Sequence, residues 1–102
     1  MSISSRQVVE HAVLLPTGTS LSGFESELID ATKFIARAVG CQSVTVLEQV
    51  ETPGTYLIRV VWDRIEDHIE GFRNSPDYGL WSAAIRPHLE SSPVVVHFRK
   101  LH

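Results

Sequence analysis

Residues 56–62 read Tyr-Leu-Ile-Arg-Val-Val-Trp, and the fold turns on this stretch. It is dense in the β-branched and aromatic types that suit a pleated, half-buried surface. Its alternation puts Tyr56, Ile58, Val60 and Trp62 on one face and Leu57, Arg59 and Val61 on the other. Upstream, Thr52-Pro53-Gly54 is a turn, and residues 42–50 alternate Val44 and Val46 with Thr45 and Leu47, so the two runs predict a hairpin. Before it, Phe24, Leu28, Ala31 and Ile35 recur at helical period. Ser22 and Glu25 have capping-box spacing and Gly40 suits a C-terminal cap, which predicts a helix over 23–39. Residues 6–15 form a first strand that is apolar on both faces, with Val8, Glu10, Ala12 and Leu14 opposite Val9, His11, Val13 and Leu15.

Downstream of Trp62, residues 64–73 carry a stripe of Ile65, Ile69 and Phe72 that also holds His68, while Glu66, Asp67 and Glu70 face water. Asn74-Ser75-Pro76 breaks this short helix and starts another, with Ser75 as cap, Pro76 at the first helical position, and Tyr78, Trp81, Ile85 and Leu89 at helical spacing. Pro87 weakens its end. Residues 93–100 close the chain as a last strand. The order strand, helix, strand, strand, helix pair, strand is that of an α+β, ferredoxin-like split βαβ fold, a four-stranded antiparallel sheet with helices on one face. Helices on one side leave the doubly apolar strands uncovered on the other. A second copy of the chain, packed sheet to sheet, is the economical cover and predicts a homodimer.

A length of 102 residues fits a single domain over 1–102, and 43% hydrophobic with 21% charged residues is ordinary globular composition. The net charge of −3 lacks the basic excess that draws polyanions, so the expected partners include no nucleic acid and no membrane. No apolar stretch approaches a bilayer span, and the first six residues do not open a secretory signal, which gives a cytoplasmic expectation. Cys41 is the only cysteine, so no internal disulfide forms. No HExxH or CxxC spacing and no phosphate-cradling glycine loop occurs, so neither a metal nor a cofactor is expected.

The run Y-L-I-R-V-V-W, the acidic helix with His68, the segment N-S-P-D-Y-G-L-W and the closing V-V-V-H-F together resemble the antibiotic biosynthesis monooxygenase family of the dimeric α+β barrel superfamily. The resemblance implies a homodimer with one pocket per subunit, between sheet and helices. Members of that family carry out cofactor-independent oxygenation of polyketide quinones, haem degradation or polyketide cyclisation, or have no known activity, so the resemblance implies one of these. Trp62 stands where the quinone-type oxygenases have their pocket tryptophan. Their asparagine four residues earlier is Ile58, their tyrosine six residues later is His68, and the arginine of their last helix falls at Ser82. The iron-binding histidine of haem-degrading relatives also falls near Ser82, which disfavours haem. In the cyclase and lyase branch a first-strand histidine faces the pocket, and His11 takes that position, with Tyr78 in place of a second histidine.

These residues suggest a pocket in which His11, His68 and Tyr78 carry proton transfer, while Tyr56, Ile58, Trp62, Phe72 and Trp81 hold a flat small molecule. A neutral imidazole takes a proton from a phenol or an acidic carbon, and oxygenation of the resulting electron-rich anion needs only a base and a dry aromatic cavity. The expected activity is a cofactor-independent monooxygenase of an aromatic or polyketide-like molecule. The alternatives are a cyclase or lyase using the same groups, or a non-catalytic small-molecule binder. Structural readings compete: His68 edging the core, the aromatics as plain packing. His97 and Arg99 read as solvent-facing edge residues.

Overall fold

A computed structural model describes residues 6–18 and 20–102; the readings of Met1 to Ser5, and of Thr19 in the loop after the first strand, lie outside the described residues. Four strands and two main helices follow in the expected order: β1 (Val8–Leu14), α1 (Leu21–Ala36), β2 (Cys41–Glu48), β3 (Tyr56–Trp62), α2 (Pro76–Ile85) and β4 (Val94–Phe98). The strands lie side by side as β2-β3-β1-β4, every neighbouring pair antiparallel. This is the ferredoxin-like α+β arrangement predicted from the sequence.

Register decides which residues meet. Val8 pairs with Trp62, Glu10 with Val60 and Ala12 with Ile58 across β1 and β3, and Glu10 pairs with His97 across β1 and β4. Because side chains alternate, Glu10, Val60, Trp62 and His97 share the face covered by the helices. On that face Leu14, Ile58, Val60 and Trp62 are fully buried against Phe24, Leu28 and Ile35 of α1 and Ile85 of α2. The other face carries His11, Val13, Val96 and Phe98, and no element among the described residues covers it. Val13 and Val96 are each 43% exposed and Phe98 52%.

Local chemistry shifts some boundaries. The cap of α1 is Ser20, whose Oγ accepts from Gly23 N–H at 3.0 Å, so the helix starts one residue before the expected cap Ser22. It stops at Ala36, where the backbone of Arg37 at the C-cap leaves helical geometry, and the Arg37 side chain donates to both carboxylate oxygens of Asp77 at 2.6 and 2.8 Å, tying α1 to α2. Gly40 lies beyond the helix at φ +86°, and its carbonyl accepts from Asp63 N–H. A β-carbon there would collide with Asp67, so glycine lets the chain pass close to the turn bearing His68.

That turn is not an ordinary helix. Asp67–Phe72 is π-wound, with Arg73 N–H donating to His68 C=O five residues back at 3.1 Å. The wider winding buries His68 and Phe72 together and turns Ile69 outward to 37% exposure, against the expected stripe. Ser75 caps α2 by accepting from Tyr78 N–H, with Pro76 first in the helix, as the sequence predicts. Arg86–His88, with Pro87, tightens into a 3₁₀ turn.

Candidate functional site

Between the helices and the sheet lies a cavity of about 420 Å³, within the usual span for small-molecule sites. β1 contributes Glu10 and Ala12, β3 Ile58, the π-wound turn His68 and Phe72, and α2 Tyr78, Trp81 and Ser82; Arg73 and Arg86 stand at its rim. Of the residues expected to build the site, His68, Tyr78, Ile58, Phe72 and Trp81 line this cavity.

The remaining three are placed differently. Trp62 is fully buried behind His68, its indole stacked on the imidazole with centroids 5.2 Å apart and planes at 12°. It supports the wall rather than forming it. Tyr56 lies toward α1, where its hydroxyl donates to Glu25 at 2.6 Å, away from the cavity. His11 is on the uncovered sheet face, packed against Phe98 at 4.8 Å between centroids. Since residues 10 and 11 of one strand point to opposite sides, a pocket holding both His11 and His68 is ruled out.

Two site residues were missed. Glu10 is buried on the helix side, where its Oε1 accepts from Trp62 Nε1–H at 2.9 Å and lies 3.4 Å from His68 Nε2. His97 was read as a solvent-facing edge residue. It is half-buried on the helix side, with its Nε2 2.8 Å from His68 Nδ1. The signal available for Glu10 was Trp62 itself, because a buried indole N–H needs an acceptor, and a carboxylate on the neighbouring strand supplies one.

The result is a line of polar groups from indole to carboxylate to imidazole to imidazole. Burial pushes the Glu10 carboxyl above its ordinary range, while the Trp62 hydrogen bond and the Arg73 charge draw it back in part. Burial pushes the His68 imidazolium down to about 3, helped by the positive charge of Arg73 and by His97. His97 is lowered too, first by burial and then by Arg73. His68 is therefore neutral at physiological pH, with one ring N–H to share between two partners. With Glu10 ionised, His68 Nε2–H points to it and His97 Nε2–H donates to His68 Nδ1. With Glu10 protonated, both imidazoles reverse. His68 spends its two nitrogens on different neighbours, so the three groups do not converge on one point, and no cluster fit to hold a metal ion occurs among the described residues. Ser82, where the resemblance puts the arginine of the quinone-type enzymes, lines the cavity as a small hydroxyl.

No family model matches the sequence. The uncharacterised protein YczJ of Bacillus subtilis is 33% identical over 76 residues, covering 74% of this chain and 80% of that protein. Among solved structures, a candidate antibiotic biosynthesis monooxygenase of Bordetella bronchiseptica is 27% identical, with a TM-score of 0.87 over 94% of this chain and 98% of that one. SnoaB, a cofactor-independent oxygenase from Streptomyces nogalater, superposes with a TM-score of 0.81 over 95% of both chains at 20% identity, a likeness of fold.

Proposed function

This chain belongs to the antibiotic biosynthesis monooxygenase family, and on that premise we propose that it is a cofactor-independent monooxygenase of an aromatic or polyketide-like molecule. The observation that carries this reading is the buried Glu10–His68–His97 array, which opens at one end onto a cavity flanked by Tyr78 and Trp81. Such a substrate has a C–H made acidic by its ring system, and an ionised carboxylate in a desolvated wall is a competent base for it. Glu10 takes the proton. The array then reverses its hydrogen bonds, and loss of a proton from the half-exposed His97 restores it through transfers from Glu10 to His68 and from His68 to His97. The carbanion left in the cavity passes electrons to O2 and forms a C–O bond, the peroxide anion takes back one proton from solvent through the array, and the hydroperoxide loses water, so that a methylene has become a ketone with one O2 consumed and one water released.

His68 keeps its expected part in proton transfer within the array, and Tyr78 and Trp81 hold the ring system, whereas His11 has no catalytic part. The uncovered sheet face is taken as the homodimer surface, and residence in the cytoplasm fits a chain in which no described helix is long and apolar enough to cross a membrane.

Oxygen uptake on adding a hydroxylated anthrone, with formation of the quinone, tests the reading. Glu10→Gln and His68→Asn should each lower kcat by roughly 10²–10⁴. Consumption of substrate without oxygen would move the protein to the cyclase or lyase class. Saturable binding with no turnover would make it a binder.

A further inference from the structure

The rim of the cavity carries two guanidinium groups, Arg73 directly after the π-wound turn and Arg86 at the end of α2. Two other arginines are matched with carboxylates: Arg37 holds Asp77 at 2.6 Å and Arg64 approaches Asp67 at 3.5 Å. Among the described residues, neither Arg73 nor Arg86 has an ion-pair partner. Arg86 is steadied by neutral oxygens instead, donating to Ser92 Oγ at 3.2 Å and Tyr78 Oη at 3.4 Å. The one carboxylate in the cavity wall is Glu10, and it is already engaged by Trp62 and faced by His68. The cavity thus joins aromatic and aliphatic walls to a mouth with two guanidinium groups that no described carboxylate pairs directly.

A planar guanidinium fork matches a carboxylate in charge and in two-point geometry, and the match strengthens where water is partly excluded. We propose that the cavity takes a planar unsaturated carboxylate, its ring system against Tyr78 and Trp81 and its carboxylate at Arg73 and Arg86. This rests on the reading of the cavity as the substrate site given above, and adds the charge and direction of the substrate. The carboxylate stays at the mouth while the reacting carbon reaches Glu10 and His68. A neutral molecule of the same shape lacks the anchor.

Binding of 2-naphthoate and of its neutral counterpart 2-naphthamide to the full chain, measured by calorimetry and by NMR shifts of the Trp81 indole and arginine Nε–H groups, tests the proposal. The acid should bind at least about tenfold tighter than the amide, a margin typical of charge-assisted hydrogen bonds. Arg73→Gln and Arg86→Gln should each shrink that margin, the double variant should abolish it, and Arg86→Lys, which keeps the charge without the fork, should retain part. Equal binding of acid and amide, binding of neither up to millimolar concentration, or a preference that survives in the double variant overturns it. His11→Asn, on the opposite sheet face, should keep the preference, since it leaves the cavity and the anchor untouched. A chain with arginine-dependent carboxylate binding but no oxygen uptake therefore defeats only the oxygenase reading. Equal turnover of neutral and anionic substrates defeats only this one.

Discussion

Trp62 lies flat against His68, their planes 12° from parallel, and the same indole donates its N–H to the carboxylate that faces the imidazole edge. One side chain therefore sets both the tilt of the ring and the position of its partner. Glu10, His68 and Trp62 come from β1, the π-wound turn and β3, so the site is tied to the sheet through its most buried aromatic.

Replacing Trp62 with Phe keeps a ring for the stack and removes the donor to Glu10. The buried carboxylate then loses its indole partner, and stability should fall by about 1–3 kcal/mol beyond any packing loss. Denaturant unfolding of Trp62→Phe beside Trp62→Phe/Glu10→Gln checks this. If the second change recovers nothing, the indole bond contributes little.

Depression of His68 to about 3 predicts that its ring nitrogens keep neutral 15N shifts from pH 8 down to pH 5, well below the ordinary imidazole value of 6.5. Between 6.5 and about 3 the unfolded chain binds a proton at this residue that the folded chain refuses, so its share of stability is lost as pH falls through that window. Glu10 acts in the opposite sense just above 4.5, where the folded chain holds a proton that the unfolded chain has released. Thermal unfolding of His68→Gln should therefore be less sensitive to acid below pH 6.5. Equal slopes for variant and parent would refute the buried neutral ring.

Activity should rise with pH through an apparent pKa above the ordinary carboxylate value of 4.5, because the base form of Glu10 is lost below its raised pKa. The profile of kcat/KM against pH reads this directly. A midpoint at or below 4.5 would place the base elsewhere.

His97→Asn should slow turnover by about tenfold or more, since it interrupts proton passage beyond His68, whereas His11→Asn should leave it within about twofold. The prediction reverses the order expected from the sequence, where His11 stood in the pocket and His97 on the edge. Steady-state oxygen uptake of the two variants decides it.

The proposed homodimer predicts a species of about twice the 11.4 kDa chain mass by light scattering after gel filtration. Phe98→Glu, on the open face beside His11 and Val96, should dissociate it. A parent chain that stays monomeric at micromolar concentration would remove the sheet-to-sheet reading.

The fold was legible because its signals are local. Alternation in residues 56–62, the turn at Pro53-Gly54 and the Ser75-Pro76 cap each state their own structure. The site was half legible for a reason that lies in β1. Both of its faces are mainly apolar and each carries one polar residue, Glu10 or His11, so the strand alone does not say which of them faces the helices. Only the register with β3 and β4 settles that, and register is a property of pairing rather than of one segment. His97 was hidden likewise, since a five-residue strand reads as an edge until its partner Glu10 proves to be buried. The start of α1 was expected at Ser22, from its spacing to Glu25, whereas Ser20 is the cap: more than one serine near a helix start can cap, and spacing alone does not choose between them.

The π winding of Asp67–Phe72 makes the site depend on how many residues the chain spends between Trp62 and Ser75, and not only on which ones. A π turn is in effect an α-helical turn with one residue too many. Deleting the outward-facing Ile69 would let the segment relax to α-helix, and every side chain after the deletion would rotate about its axis, carrying Phe72 and Arg73 away from the cavity while the sheet stayed intact. Chains of this length class can thus share every strand and still differ in whether an aromatic ring and a guanidinium reach the cavity after His68, through an insertion or deletion of a single codon.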